Sequence, residues 1–451
     1  MWERISKGGL CLTALFLVLL ISGCRDVRRE GVTGGGSGGG PSVAESARGT
    51  DARAIYDPDP EHIWNRLHNH LFGRAAPDGR AYGLDALDPP LWSETRYLLE
   101  GPSSRKAVAL LDEWLSTHAE RLEKSPLKRA MMQRDLLATY VWAARQTSER
   151  RPERVELERR LALAVQRLAL SEGELASLPD NYELAVSSKA FPAQPRDAEP
   201  EATFLPPDLF ASQGTWVCVS RDDGTPAARV HTISFAGRST FLVFLRLPGG
   251  RDATLAYLKQ VGDFPQLWVR DRRAPSNFVL NPQVPQLPTG TRLALVRRAL
   301  LANERGELIP TPLVEDIQLR VYEAVPEGAD PDVSRARSSQ TVCEFQLSRE
   351  KLFAGRDGGL RPVVAADEEF PHFMSHGLDP FEFESQDAQL VGPQPVLNSC
   401  ATCHAAPGIH SVLSFQPRAR LVSATPVDEI DRSLGWQRRN APSPSLREFL
   451  P

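Results

Sequence analysis

Methionine is scarce in this chain: there are four in 451 residues, and Met374 is the only one after Met132. Cysteine is scarce as well, at six. An excess of charge of one sign is missing, since 53 lysines and arginines face 57 aspartates and glutamates for a formal net charge of −4. With no basic stripe interleaved with aromatics, nucleic acid is excluded as a partner. The 32 glycines and 37 prolines are too few and too scattered for a fibrous or wholly disordered chain. No repeat of fixed period runs through it. No serine sits in a nucleophile-elbow pattern. The glycine pair of RLPGGRDA (246–253) lacks a phosphate-loop lysine followed by serine or threonine. His62, His68 and His70 share one helical stretch, yet none are four apart, so they do not make a metal pair. No catalytic triad can be assembled. The length is too great for one ordinary core and sets an expectation of two or three domains.

What is present begins at the amino terminus. Arg4 and Lys7 precede the apolar run LCLTALFLVLLI (10–21) and then SGC (22–24). This is a charged region, an apolar region of secretory length and a small-residue cleavage zone. The run is short for a lone membrane-spanning helix. Ile21-Ser22-Gly23-Cys24 resembles the lipobox of bacterial lipoprotein precursors. The resemblance implies a signal peptide over 1–23 and acylation of Cys24, which becomes the first residue. Residues 1–23 carry Arg4 and Lys7 against Glu3, so their removal takes the net charge from −4 to −5. Residues 24–56, with the tract GGGSGGG, form a flexible tether. Acyl chains anchor such a tether to a membrane at ~0.8 kcal/mol per buried CH₂. The expected location is the cell envelope, on its periplasmic or extracellular side.

Residues 57–190 read as an α-helical domain. Asp59 is a candidate cap with Pro60 at the first helical position, followed by a stripe of Ile63, Trp64, Leu67 and Leu71. Three further amphipathic stretches follow at 103–122, 126–144 and 153–171, the first with a stripe through Val108, Leu111, Leu115 and Leu122. The proline-rich stretch 191–210 reads as a linker. Over 211–350 the period changes to short β-branched and aromatic runs: TWVCVS, ARVHTISF, STFLVFLRL, LALVRRALLA, DIQLRVYEAV and TVCEFQLS. NERGE (303–307) reads as a hairpin tip and DATLAYLKQV (252–261) as the one intervening helix. This predicts a mostly antiparallel β domain, with a sandwich as one form. Residues 351–451 are irregular, with a terminal helix expected over 425–439, capped by Thr425 with Pro426 at its first position. The fold class is α+β and multidomain: helices first, strands in the middle, an irregular or helical segment last.

That last segment contains the strongest motif. Cys400-Ala401-Thr402-Cys403-His404 places two thiols one helical turn apart, directly before an imidazole. Three chemistries suit those residues: a redox or structural disulfide, a zinc site completed by His404 and His410, or covalent haem. The run matches the attachment motif of c-type cytochromes, and the resemblance is confined to these residues and, more loosely, the next dozen. It implies one covalent haem c held by Cys400 and Cys403, with His404 as proximal iron ligand. Pro417 stands where small class I cytochromes place the proline whose carbonyl orients the imidazole. The pattern then breaks, because 47 residues follow His404 and none is methionine. Candidates for the distal ligand lie upstream, at Met374 or His376, with an open iron as the alternative. With the motif pair committed, Cys218 and Cys343 remain as a possible disulfide in an oxidising compartment. The expected function is electron transfer with a redox partner protein or small carrier. The alternatives are a peroxidase-like haem enzyme with an open distal site, and a haem-free envelope lipoprotein serving as a binding scaffold.

Overall fold

The computed structural model describes residues 53–75, 79–88, 96–146, 152–195, 203–222, 226–235, 237–271, 277–325, 339–369, 373–374, 389–390, 392–397, 404, 406, 408–413 and 420–423. All of these fall within one compact unit, Gly49–Pro451. The leader, Cys24, the tether and the terminal helix expected over 425–439 lie outside the described residues. Among the described residues no helix is long and apolar enough to cross a membrane.

The fold is mixed α+β, with the helices N-terminal and the strands central. Helices α1 (Ile63–Phe72), α2 (Gly101–Ser116), α3 (Pro126–Arg145), α4 (Pro152–Arg167), α5 (Glu172–Ala176) and α6 (Asn181–Ser187) come first. The stripe on α1 is as expected, with Ile63, Trp64, Leu67 and Leu71 buried. Its start differs. His62 is the cap, accepting from the Trp64 N–H, and Asp59 belongs to the preceding turn, where it accepts from the Glu61 N–H. On α2 the buried stripe runs through Ala107, Leu110, Leu111 and Trp114, whereas Leu122 is 58% exposed beyond the helix end. Ser125 caps α3 ahead of Pro126. Every residue of α3 from Ala130 to Val141 is buried, as expected of a helix enclosed on all sides.

The main sheet is formed by β1 (Val217–Arg221), β2 (Ser239–Arg246), β3 (Arg292–Ala302), β4 (Leu308–Ala324), β5 (Ser339–Leu347), β6 (Leu360–Pro362) and β7 (Leu421–Ser423). Its order is β6-β5-β4-β3-β2-β1-β7, antiparallel throughout. The NERGE tip joins β3 to β4. Helix α7 (Arg229–Ser234) connects β1 to β2, and α8 (Gly250–Gly262) follows β2. The run ARVHTISF, read as a strand, is therefore helical. Its apolar residues alternate too briefly to pair, and Val230 and Ile233 stay 39% and 45% exposed.

Strand alternation assigns each side chain to one of two faces. On β2, Leu242 and Phe244 join the helices in one apolar core, while Phe241, Val243 and Leu245 enter a second cluster on the other face. That second face is covered by α8, by a hairpin of Trp268–Arg270 with Phe278–Leu280, and by Ile409, Leu413 and Leu421 from the C-terminal segment. A single sheet covered on both faces thus replaces the expected sandwich. The segments read as separate helical and β domains are layers over a shared core. Phe204, Leu205 and Leu209, from the stretch read as a linker, are buried in that core.

Two amides lock the layers. Gln133 of α3 donates to the Ala302 carbonyl at 2.9 Å and accepts from its N–H at 3.0 Å. Asn181 does the same for Val314, at 3.0 and 2.7 Å. Both strand positions lie near the register shifts between β3 and β4, where ladder partners are lost.

The Cys218–Cys343 disulfide does not form. Cys218, Phe244, Ala294, Leu319 and Cys343 are successive partners across β1, β2, β3, β4 and β5. Four strand spacings of about 4.8 Å put the two cysteines roughly 19 Å apart. A disulfide requires Cα atoms within about 7 Å.

Candidate functional site

The C-terminal segment reaches the second face of the sheet through a tight turn, Gly408 to Leu413, which contains the short helix α9 (His410–Leu413). Ile409 and Leu413 are 1% and 0% exposed and anchor the turn in the second apolar cluster. Gly408 adopts φ +47°, and a Cβ there would meet Gln286 Oε1 at 2.2 Å. Glycine is required on both counts. Gln286 Oε1 accepts from the Ile409 N–H at 2.7 Å, tying the turn to the loop that precedes β3.

Ser411 is the hub of this turn. Its hydroxyl donates to the Gly408 carbonyl at 2.8 Å and accepts from the Tyr322 hydroxyl at 2.6 Å. Arg320 Nη1 approaches the same oxygen at 3.4 Å. The Ser411 carbonyl lies 3.0 Å from His404 Nδ1. A carbonyl can only accept, so Nδ1 carries the ring proton and Nε2 presents its lone pair. Gln340 Nε2 donates to the His404 carbonyl at 2.6 Å, so backbone and ring are both oriented. Burial, with smaller contributions from Arg320 and His231, pushes the His404 imidazole down to about 3. It is neutral at ordinary pH, the form that ligates metals.

Facing His404 is His231, from α7. The two imidazole planes are parallel within 6°, with ring centres 6.1 Å apart. His231 packs on the Phe241 ring of β2, and burial, followed by Arg320 and Arg297, lowers it to about 4. Arg320 is 3% exposed, and among the described residues no carboxylate lies within ion-pair reach of it. Its Nε is buried without a hydrogen-bond partner. A buried, uncompensated guanidinium costs several kcal/mol, so the site suits an anionic group.

The structure brings together some of the residues expected from sequence and leaves others apart. His404 is placed as described, with its orienting carbonyl supplied by Ser411; Pro417 lies outside the described residues. Cys400, Cys403 and His376 also lie outside them. Met374 is in a two-residue strand, Phe373–Met374, whose backbone pairs with Gln389–Leu390. His410 is 7% exposed and lowered by burial. His62, His68 and His70 have structural partners: the Trp64 N–H, Asp135 at 3.2 Å and the Ser103 carbonyl at 2.9 Å. Among the described residues no group of three or more histidine, cysteine or acidic side chains forms a metal cage.

Sequence reasoning missed His231, Arg320 and Ser411. Nothing in the run ARVHTISF marks its histidine, and only the crossing of α7 over β2 brings that ring to the C-terminal turn. Comparison with family models, curated proteins and solved structures returns no match for this chain.

Proposed function

We propose that this chain is an envelope lipoprotein carrying one covalent c-type haem and that it transfers electrons. The observation that carries the reading is the bond from His404 Nδ1 to the Ser411 carbonyl. Metal-bound histidines usually donate their second ring nitrogen to a carbonyl or carboxylate, which fixes the tautomer and aims the other nitrogen at the metal. Here that arrangement occurs at the histidine that follows a pair of cysteines with haem-attachment spacing.

In this reading Cys400 and Cys403 would hold the porphyrin through thioethers, and His404 would ligate its iron through Nε2. The group, when bound, supplies one-electron cycling of iron. The protein's own part is positional and electrostatic. Ser411, Tyr322 and Gln340 hold the imidazole, and the buried guanidinium of Arg320 suits the porphyrin carboxylates. The lipobox-like leader and Gly/Ser tract support export, acylation at Cys24 and tethering at the membrane, with a redox protein or small carrier as partner.

Expression with haem-maturation machinery tests this reading. The purified protein is expected to keep haem through denaturation, to show the pyridine-haemochrome spectrum of two thioether links, and to gain the mass of one haem. Cys403→Ser is expected to lose one link and shift that spectrum. A purified protein with neither bands nor added mass leaves a haem-free scaffold.

A further inference from the structure

We infer that the recess around Arg320, on the second face of the sheet beside the C-terminal turn, binds a small organic carboxylate. The site stands on residues of β4, β5 and that turn, and it does not need the haem reading.

Charge is the first ground. Arg320 is 3% exposed, and its one hydrogen bond among the described residues runs from Nη1 to the Ser411 hydroxyl at 3.4 Å. A charge-assisted bond is ordinarily about 2.7–2.9 Å long. That hydroxyl already accepts from Tyr322 at 2.6 Å. Asp316 and Glu344, the acids on the same face of β4 and β5, are hydrogen-bonded to each other. The neighbouring Arg297 is paired with Asp88 and Glu315, so a single cation is left over. A water molecule satisfies N–H groups but leaves that charge uncompensated. One bound anion compensates it.

The shape of the guanidinium selects the anion. Nη1 is turned to Ser411, while Nε is buried without a partner and Nη2 makes no hydrogen bond among the described residues. Nε and Nη2 form the side-on fork whose two parallel N–H groups match the two oxygens of a carboxylate. A phosphate dianion brings more charge and more oxygens than one fork can meet. The Tyr322 hydroxyl does not add a donor, because the Ser411 proton goes to the Gly408 carbonyl and Tyr322 must donate to Ser411.

A second orphan atom narrows the ligand. Gln340 stands opposite Tyr322 on β5, diagonal to Arg320 on the same face. Its amide nitrogen donates to the His404 carbonyl, and its Oε1 is buried without a partner. Diagonal neighbours are about 7–8 Å apart, a span that a short acid bridges. An acid with a hydroxyl or amino group beside its carboxylate supplies the donor that Oε1 lacks. The side chains around the recess, His231, Gln340 and Val342, are half-buried rather than sealed.

A free organic acid and a carboxylate on a porphyrin edge present the same two oxygens, and the test separates them. It uses the full-length protein as haem-loaded wild type and as a Cys400→Ser, Cys403→Ser double variant that cannot link a porphyrin. Calorimetric titrations and thermal melts at pH 7 use L-lactate, acetate and phosphate as probes at matched ionic strength. In the double variant, lactate is expected to bind one saturable site and raise the melting temperature. Acetate, without the donor, is expected to bind roughly fivefold more weakly, and phosphate not at all. Arg320→Lys in that background keeps the charge but loses the fork, and is expected to weaken lactate at least about tenfold. Arg320→Met is expected to abolish the response while melting no lower than its parent, which an arginine serving only the fold would not do. A lactate response that persists in the haem-loaded wild type identifies a free acid; one lost only there identifies the porphyrin carboxylate. No saturable response to either acid in the double variant, phosphate binding as tightly as lactate, or an Arg320→Met variant that keeps the response would each overturn the assignment. A wild type that takes up no haem sinks the haem reading and leaves this site to be decided by the same titrations.

Discussion

At Asp88 three guanidiniums converge: Arg238 at 2.7 Å, Arg134 at 3.1 Å and Arg297. Burial opposes ionisation, but Arg297, Arg238 and Arg134 outweigh it and hold the carboxyl far below its usual range. The folded value lies beneath the unfolded one of about 3.9, so the stabilisation is complete above that pH and is lost as pH falls. Asp88→Asn leaves three cations without their shared anion and is expected to cost roughly 3 kcal/mol at pH 7. Denaturant melts at pH 7 and pH 3 check this, with the gap between wild type and variant narrowing at the lower pH. Asp316 has the opposite sign. Burial, and then Glu344, raise its carboxyl well above the ordinary value. Stability from that group is present at low pH and is lost as pH rises through the folded value. Asp316→Asn is therefore expected to flatten the decline in melting temperature toward alkaline pH.

Among the elements, the turn from Gly408 to Leu413 carries the site, and its glycine is the sensitive position. Gly408→Ala forces a side chain into the Gln286 contact at positive φ, with a cost of order 1–3 kcal/mol. Under the proposed function, the expected outcome is a haem that stays covalently linked but shows weakened ligation by His404, seen as spectral heterogeneity. The strands were easy to read because alternation on β2, β3 and β4 sorts apolar residues cleanly between faces. The start of α1 was misread, since Asp59 and Pro60 have the right chemistry for a cap but serve a turn ahead of it. The Cys218–Cys343 pairing failed because strand order is not written in local sequence. Both thiols are buried, with Cys343 pushed up to about 11 by burial. Reductant is expected to leave the melting temperature unchanged, and a Cys218→Ser, Cys343→Ser double variant is expected to lose no reducible mass.

For the whole molecule, one sheet serves two purposes. Its first face shares a core with α1 to α6 and supplies stability, while its second face carries α7, α8, the hairpin and the C-terminal turn. The site is built on that second face from segments far apart in the chain. Anchoring is a further property of the full chain under the proposed function. Cys24→Ala is expected to move the protein from the membrane fraction to the soluble fraction after cell fractionation, with haem content unchanged.

Local chemistry in the sequence determined the helical start and stranded middle, and the spacing of the cysteine pair with its adjoining histidine. Each depends on residues within a few positions of one another, where periodicity, capping and spacing act. Tertiary structure alone decided that helices and sheet share a core, that Cys218 and Cys343 lie four strands apart, and that His231 faces His404. These are matters of strand order and layer stacking, and they depend on contacts between residues tens to hundreds of positions apart, for which a single sequence holds no local signal.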